Sequence, residues 1–234
     1  MDNLPKDRPI AMGVSGASGM IYAVRSLKFL LANHYRVELV TSKAAIMVWQ
    51  SENLGTMPSN PKQQEQFWRD RCQENSGHLT CHSWSDIGAN IASGSFRTLG
   101  MVVAPCSMAT VAKIAHGLSS DLLERAADVH LKEGRKLVIV PRETPLSLIH
   151  LRNLTALAEA GARIVPAIPA WYHQPRTIED LVDFVVARTF DQLDIDADII
   201  NRWQGRTSSV PIDSVDPIHS ISAIPPDRRI EEYT

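Results

Sequence analysis

A chain of 234 residues is sized for one α/β domain with a full core, and a net charge of −2 with no basic run argues against a nucleic-acid binder. No apolar run is long enough to span a bilayer, and the polar stretch Met1–Arg8 does not read as a signal peptide. Three cysteines, Cys72, Cys81 and Cys106, make no disulfide framework, so a reducing cytoplasm is the expected compartment.

The first informative stretch is Gly13-Val14-Ser15-Gly16-Ala17-Ser18-Gly19, between the apolar run Pro9–Met12 and a helical pattern. A strand, a glycine-rich turn and a helix N-terminus make a ready anion site, because the turn exposes N–H groups and the helix dipole favours phosphate. The spacing G-x-x-G-x-x-G is not the dinucleotide G-x-G-x-x-G, so an ordinary structural turn stands beside a nucleotide or flavin phosphate as a reading. Ile21, Val24, Leu27, Leu30 and Leu31 recur at helical spacing, and Val37–Thr41 reads as the second strand. That strand ends in Thr41-Ser42, where a nicotinamide-binding unit would carry an acid for the ribose 2′-OH. A mononucleotide fits better.

A second helix is expected over Ser42–Leu54. Residues 55–84 then turn polar and read as a loop or exposed helix, a variable insertion. Cys72, His78, Cys81 and His82 match no zinc spacing. From Ser93-Gly94-Ser95 the pattern strengthens: the strand Met101–Ala104 leads into Pro105-Cys106-Ser107-Met108-Ala109-Thr110, which opens a helix. Hydroxyls and N–H groups are thereby placed at the carboxyl edge of the sheet, where doubly wound folds bind ligands. Cys106 reads as a small buried spacer.

A helix over Asp121–Glu133 carries Arg125 and Lys132, seven residues apart and so on one face. Lys136–Pro141 is a strand capped by Arg142-Glu143-Thr144-Pro145, in loop positions that suit a site. A helix through Leu151–Ala158, a strand Arg163–Pro166, an aromatic loop Ala167–His173 and a helix Thr177–Leu193 follow. Within that last helix, Glu179-Asp180-Leu181-Val182-Asp183 looks like a magnesium-holding D-D-x-x-D. Acids in a first turn are expected from the dipole alone, and no second acidic cluster faces it, so no metal is expected. Altogether the pattern predicts a Rossmann-like, doubly wound α/β domain over residues 1–205, mostly parallel, with helices on both faces. The Ser/Pro-rich stretch 206–234 reads as a flexible or subunit-embracing tail.

Read together, several segments resemble the flavin prenyltransferases of the UbiX type: Gly13–Gly19, Ser42-Lys43-Ala44-Ala45, Ala92-Ser93-Gly94-Ser95-Phe96, Pro105-Cys106-Ser107, and Arg125–Val129 with Leu131-Lys132-Glu133. Arg142–Leu146, Pro169-Ala170-Trp171-Tyr172-His173 and Arg202-Trp203-Gln204-Gly205 extend the match collinearly over residues 9–205. The resemblance implies a metal-independent transferase that joins a dimethylallyl group from dimethylallyl monophosphate to N5 and C6 of reduced FMN. It further implies delivery of prenylated FMN to a UbiD-type decarboxylase, and a homododecamer with its sites at subunit interfaces.

Carried over position by position, Gly16, Ala17, Ser18, Ser42, Ser107, Met108, Ala109, Thr110 and Arg142 correspond to FMN contacts. Ser93, Gly94, Arg125, Lys132, Tyr172 and Arg188 surround the prenyl phosphate, some of them from a neighbouring subunit. Cations there would stabilise a leaving phosphate. Tyr172 and Trp203, with Trp171, are the aromatic candidates for shielding an allylic cation. Glu52 and Glu143 correspond to proton-handling carboxylates, and Ser18 and Lys132 complete the catalytic set. Trp84 finds no clean counterpart.

Two other functions compete. A flavin-dependent cysteine decarboxylase needs a P-x-M-N-x-x-M-W segment where this chain has Pro105-Cys106-Ser107-Met108. An FMN-binding accessory subunit of a decarboxylase would need one phosphate site, whereas Arg125, Lys132, Arg142 and Arg188 suggest two.

Overall fold

Strands β1 (Ile10–Val14), β4 (Gly100–Cys106) and β5 (Leu137–Pro141) are buried along their whole length, as strands covered on both faces must be. With β2 (Arg36–Thr41), β3 (His78–His82) and β6 (Arg163–Ile164) they form one parallel sheet in the order β3-β2-β1-β4-β5-β6. The computed structural model describes residues 8–202. Trp203 and the 206–234 tail lie outside them.

Alternation along β1 separates two cores. Ile10, Met12 and Val14 pack with α1 (Met20–Ala32), α2 (Lys43–Ser51), α3 (Pro61–Cys72) and α7 (Ile178–Asp191). Ala11 packs with α4 (Met108–Ala115), α5 (Leu122–Lys132) and α6 (Leu148–Glu159) on the opposite face. Connections leave β1 and β4 towards opposite sides, so the switch point of the doubly wound sheet lies between them.

Residues 55–84 are not a peripheral insertion. They build α3 and the edge strand β3, and Trp68 is fully buried with its ring 5.4 Å from that of Trp49. The inward stripe of α3 is Gln64, Trp68 and Cys72 at i, i+4, i+8, only part of which looks apolar. Gln64 Nε2 donates to Pro58 O at 2.8 Å, while its buried Oε1 has no hydrogen-bond partner among the described residues. Cys72 and Cys81 are core thiols; burial pushes Cys72 up to about 12. His82 Nε2 lies 2.7 Å from Oε2 of the buried Glu38. Trp84 is structural too: its carbonyl accepts the Leu122 N–H at 2.8 Å, and its ring packs on the α5-side core.

The acids of α7 have local work. Asp183 makes a two-pronged pair with Arg25 of α1, and Asp180 accepts the Arg176 and Thr177 N–H groups at the helix start. On the other face, His130 joins α5 to the segment entering β4. Its Nδ1 lies 2.7 Å from Ala126 O and its Nε2 2.7 Å from Thr98 Oγ1. A carbonyl can only accept, so Nδ1 carries the proton and Nε2 takes the threonine hydroxyl.

Two expectations follow from these contacts. Trp68→Ala should lower the unfolding free energy by about 3–5 kcal/mol in urea titrations, against under about 1 kcal/mol for a surface insertion. Burial draws His130 down to about 4, below its unfolded value near 6.5, so its neutral form stabilises the fold fully above that value. The contribution is lost as pH falls from 6.5 towards 4. Between pH 7 and 5 the loss should reach about 2 kcal/mol in urea unfolding and be smaller in His130→Gln.

Candidate functional site at the carboxyl edge of the sheet

The loops leaving β1 and β4 are tied across the switch point by Ser15. Its Oγ donates to Pro105 O at 3.2 Å and accepts the Ser107 N–H at 2.7 Å. Ser42 N donates to Val14 O and Arg142 N to Cys106 O, so the β2 and β5 loops join the same edge. Arg142 then reaches over the opening, its Nε donating to Ser18 O at 2.9 Å. Gly16, Ala17, Ser18, Ser42, Ser107 to Thr110 and Arg142 thus share one rim.

The reasons for the glycines differ from a simple phosphate cradle. A Cβ on Gly16 would lie 2.5 Å from the Ala44 Cβ, so this glycine lets the loop close on the start of α2. Gly19 has φ +103°, a left-handed conformation that side chains rarely adopt.

The N-terminus of α1 already holds an anion. Glu52, the residue that ends α2, accepts Gly19 N–H at 2.5 Å and Met20 N–H at 3.2 Å. It is therefore not a solvated helix-end charge but a carboxylate fixed against the glycine loop from 33 residues away. Among the described residues the amides of Gly16 and Ser18 have no hydrogen-bond partner, so they are available to a ligand.

Ser42 and Ser107 are N-caps, accepting Ala45 N–H and Thr110 N–H at 3.1 and 3.3 Å. Capping uses a lone pair and leaves the Ser42 hydroxyl proton to donate, while Ser107 Oγ shares a hydrogen bond with Thr110 Oγ1 at 3.0 Å. Met108 points inward, so only its backbone faces the rim. Cys106 is fully buried and its thiol is pushed up to about 12, which removes it as a nucleophile. Glu143 is exposed beside Arg142 and, among the described residues, accepts only the Thr144 N–H. This donor set of hydroxyls, free amides and one guanidinium fits a phosphorylated mononucleotide such as FMN.

A second cationic cluster forms at the end of α5. Lys132 Nζ donates to Glu133 Oε1 at 2.6 Å beside the Ser93–Ser95 turn, and that bond holds the Glu133 carboxyl below its usual range. Arg125, further back on α5, pairs with Asp128 at 2.9 Å. Arg135 was invisible to periodicity because it follows the helix in a short connection. Yet its guanidinium grips the turn through Gly94 O and Phe96 O.

Tyr172 and Arg188 belong to a third place. The Tyr172 ring sits edge-on to Phe184 of α7 at 5.7 Å, and Arg188 Nη1 pairs with Asp191 at 2.6 Å. Arg188 also lines a cavity of about 420 Å³ with Ile164, Ile168 and Phe184. Because α5 and α7 cover opposite faces of the sheet, one chain does not bring Lys132 together with Tyr172 and Arg188.

Comparisons with known proteins agree with this architecture. The Flavoprotein family matches residues 2–190. The flavin prenyltransferase UbiX of Synechocystis sp. is 66% identical over 199 residues, covering 85% of this chain and 97% of that protein. The structure of AnUbiX (PadA1) in complex with FMN and dimethylallyl pyrophosphate has TM-score 0.74 and 40% identity, covering 85% of this chain and 98% of that one. A dodecameric FMN-dependent UbiX-like decarboxylase from Escherichia coli O157:H7 has TM-score 0.72 and 42% identity over 84% of this chain and all of that one. With that identity along nearly the whole sheet and both its faces, the chain belongs to the UbiX family of flavin prenyltransferases.

Proposed function

We propose that this chain transfers a dimethylallyl group from dimethylallyl monophosphate to N5 and C6 of reduced FMN. The observation that supports the reading is two separate cationic places, the rim around Arg142 and the Lys132 turn, each suited to an anion, where a bound flavin alone needs one. Both the accessory-subunit and the cysteine-decarboxylase readings leave the second place without a purpose.

Reduced FMN, when bound, supplies nucleophilic ring positions. The chain supplies the rest. Gly16, Ser18, Ser42, Ser107, Thr110 and Arg142 hold the FMN phosphate and the polar ring edge. Lys132, Arg125 and Arg188, with Ser93 and Gly94, neutralise the prenyl phosphate as its C–O bond breaks and the electron pair leaves with it. This allows the transfer to proceed without a metal. Tyr172 and Trp203 screen the allylic carbon from water. Glu52 accepts the proton released at C6, and Glu143 handles protons at the other carboxylate position. Since Tyr172 and Arg188 lie on the face opposite Lys132, the complete site requires a neighbouring copy, and a dodecamer like that of the E. coli protein would supply it. The product is prenylated FMN for a UbiD-type decarboxylase in the cytoplasm.

Anaerobic incubation with reduced FMN and dimethylallyl monophosphate should yield, by mass spectrometry, a flavin heavier by one C5H8 unit. A parallel arm with the pyrophosphate ester reads the leaving-group preference. Flavin binding with no adduct from either ester, under sustained reduction, would refute the transferase. Lys132→Ala should raise KM for the prenyl phosphate about ten- to hundredfold, the loss of one charge-assisted hydrogen bond. FMN affinity, read by fluorescence quenching, should change less than about twofold. Equal losses in both would assign Lys132 to the flavin phosphate instead.

A further inference from the structure

The Ser93–Ser95 turn meets the end of α5 in an unusual way: the closest atoms to Gly94 belong to charged side-chain tips. A Cβ on Gly94 would overlap the Glu133 carboxylate, with Cδ at 2.8 Å, and would lie 3.0 Å from Lys132 Nζ. Gly94 does not have a positive φ, so alanine is conformationally allowed there. The missing side chain therefore makes a seat rather than a bend.

The contacts around that seat define what occupies it. Lys132 Nζ donates to Glu133 Oε1 at 2.6 Å. Arg135 fixes the turn from below through Gly94 O and Phe96 O, and stands 3.9 Å from the second Glu133 oxygen. Ser93 Oγ and Ser95 Oγ lie 2.9 Å apart on the same turn. An ammonium has three donors, so one bond to Glu133 leaves two for an anion. A lysine tip at a helix end is otherwise free to turn about its four-carbon stem, and holding it in one place spares that freedom from being lost on binding.

We propose that Glu133 is a positioning residue for Lys132: seated in the space left by Gly94, its carboxylate holds the ammonium beside the Ser93–Ser95 turn, ready for the prenyl phosphate. This rests on the assignment of Lys132 and Ser93 to that phosphate. An exposed ion pair contributes little to stability, so the effect belongs to ligand affinity and not to folding. The same geometry explains the glycine. Alanine at position 94 would push aside two flexible tips without touching backbone, displacing Lys132 while the fold persists.

The test is a double-mutant cycle on the full chain loaded with oxidised FMN, which binds without reacting. Calorimetric titration with dimethylallyl monophosphate should show Glu133→Ala and Gly94→Ala each weakening Kd about three- to tenfold, with unchanged melting temperature and FMN affinity. Gly94→Ala in the Glu133→Ala background should cost less than it does alone, because only the Lys132 tip is left to displace. Glu133→Gln, which keeps an acceptor oxygen, should recover most of the affinity. Under reducing conditions the loss should appear in KM, with kcat within about twofold. Multiplicative single effects, or affinities unchanged in both singles, would overturn the role of Glu133. Absence of a flavin adduct in the parent chain would overturn the transferase reading instead, so the two failures are distinguishable.

Discussion

Between β1 and β4 the chain turns to opposite sides of the sheet, and a single buried hydroxyl bridges the opening. Ser15 Oγ gives its proton to Pro105 O and takes that of Ser107 N, tying the first loop of the fold to the fourth across 90 residues of sequence. Everything at the rim takes its position from that tie: the glycine loop on one side, the capped start of α4 on the other, and Arg142 reaching across to Ser18. The side chain is buried, so both of its hydrogen bonds are made where water cannot replace them.

Arg142 and Glu143 apart, the charges of the three candidate places are partnered within the protein. Glu52 sits on the amides that begin α1, Lys132 on Glu133, Arg125 on Asp128, and Arg188 on Asp191. Except for Glu52, these are exposed pairs of modest worth in water. The Arg125–Asp128 and Arg188–Asp191 pairs can open at little cost when an anion arrives, whereas a buried pair would not. The exception is held by backbone donors, which gives Glu52 a fixed location next to the flavin rim.

The opposed placement of α5 and α7 has a simple origin. Helix α5 belongs to the β4–β5 side of a right-handed crossover, while α7 follows the last strand and returns over α1, fastened there by Arg25 and Asp183. Cations that a linear reading groups into one phosphate site are thereby separated by the thickness of a sheet. A site needing both must be closed by another copy, which makes assembly a chemical requirement of the proposed reaction.

Sequence alone determined every strand but the edge strand β3, the helices with strong apolar periodicity, and the positions of polar residues immediately after the buried strands. Those properties are local: apolar runs must be covered, and loops at the carboxyl ends of parallel strands must face the same edge. Tertiary structure decided the rest. Trp68 made a polar stretch into a core helix, since one large buried ring outweighs several exposed glutamines. Glu52 became the anion on α1, and Arg135 became the support of the Ser93–Ser95 turn. Each of these joins positions far apart in the sequence or lies outside any helical repeat, and no spacing along the chain encodes such a meeting. The opening glycine loop illustrates both halves. Its location was plain from Gly13–Gly19, but the reason for Gly16 is Ala44, a neighbour only the folded chain supplies.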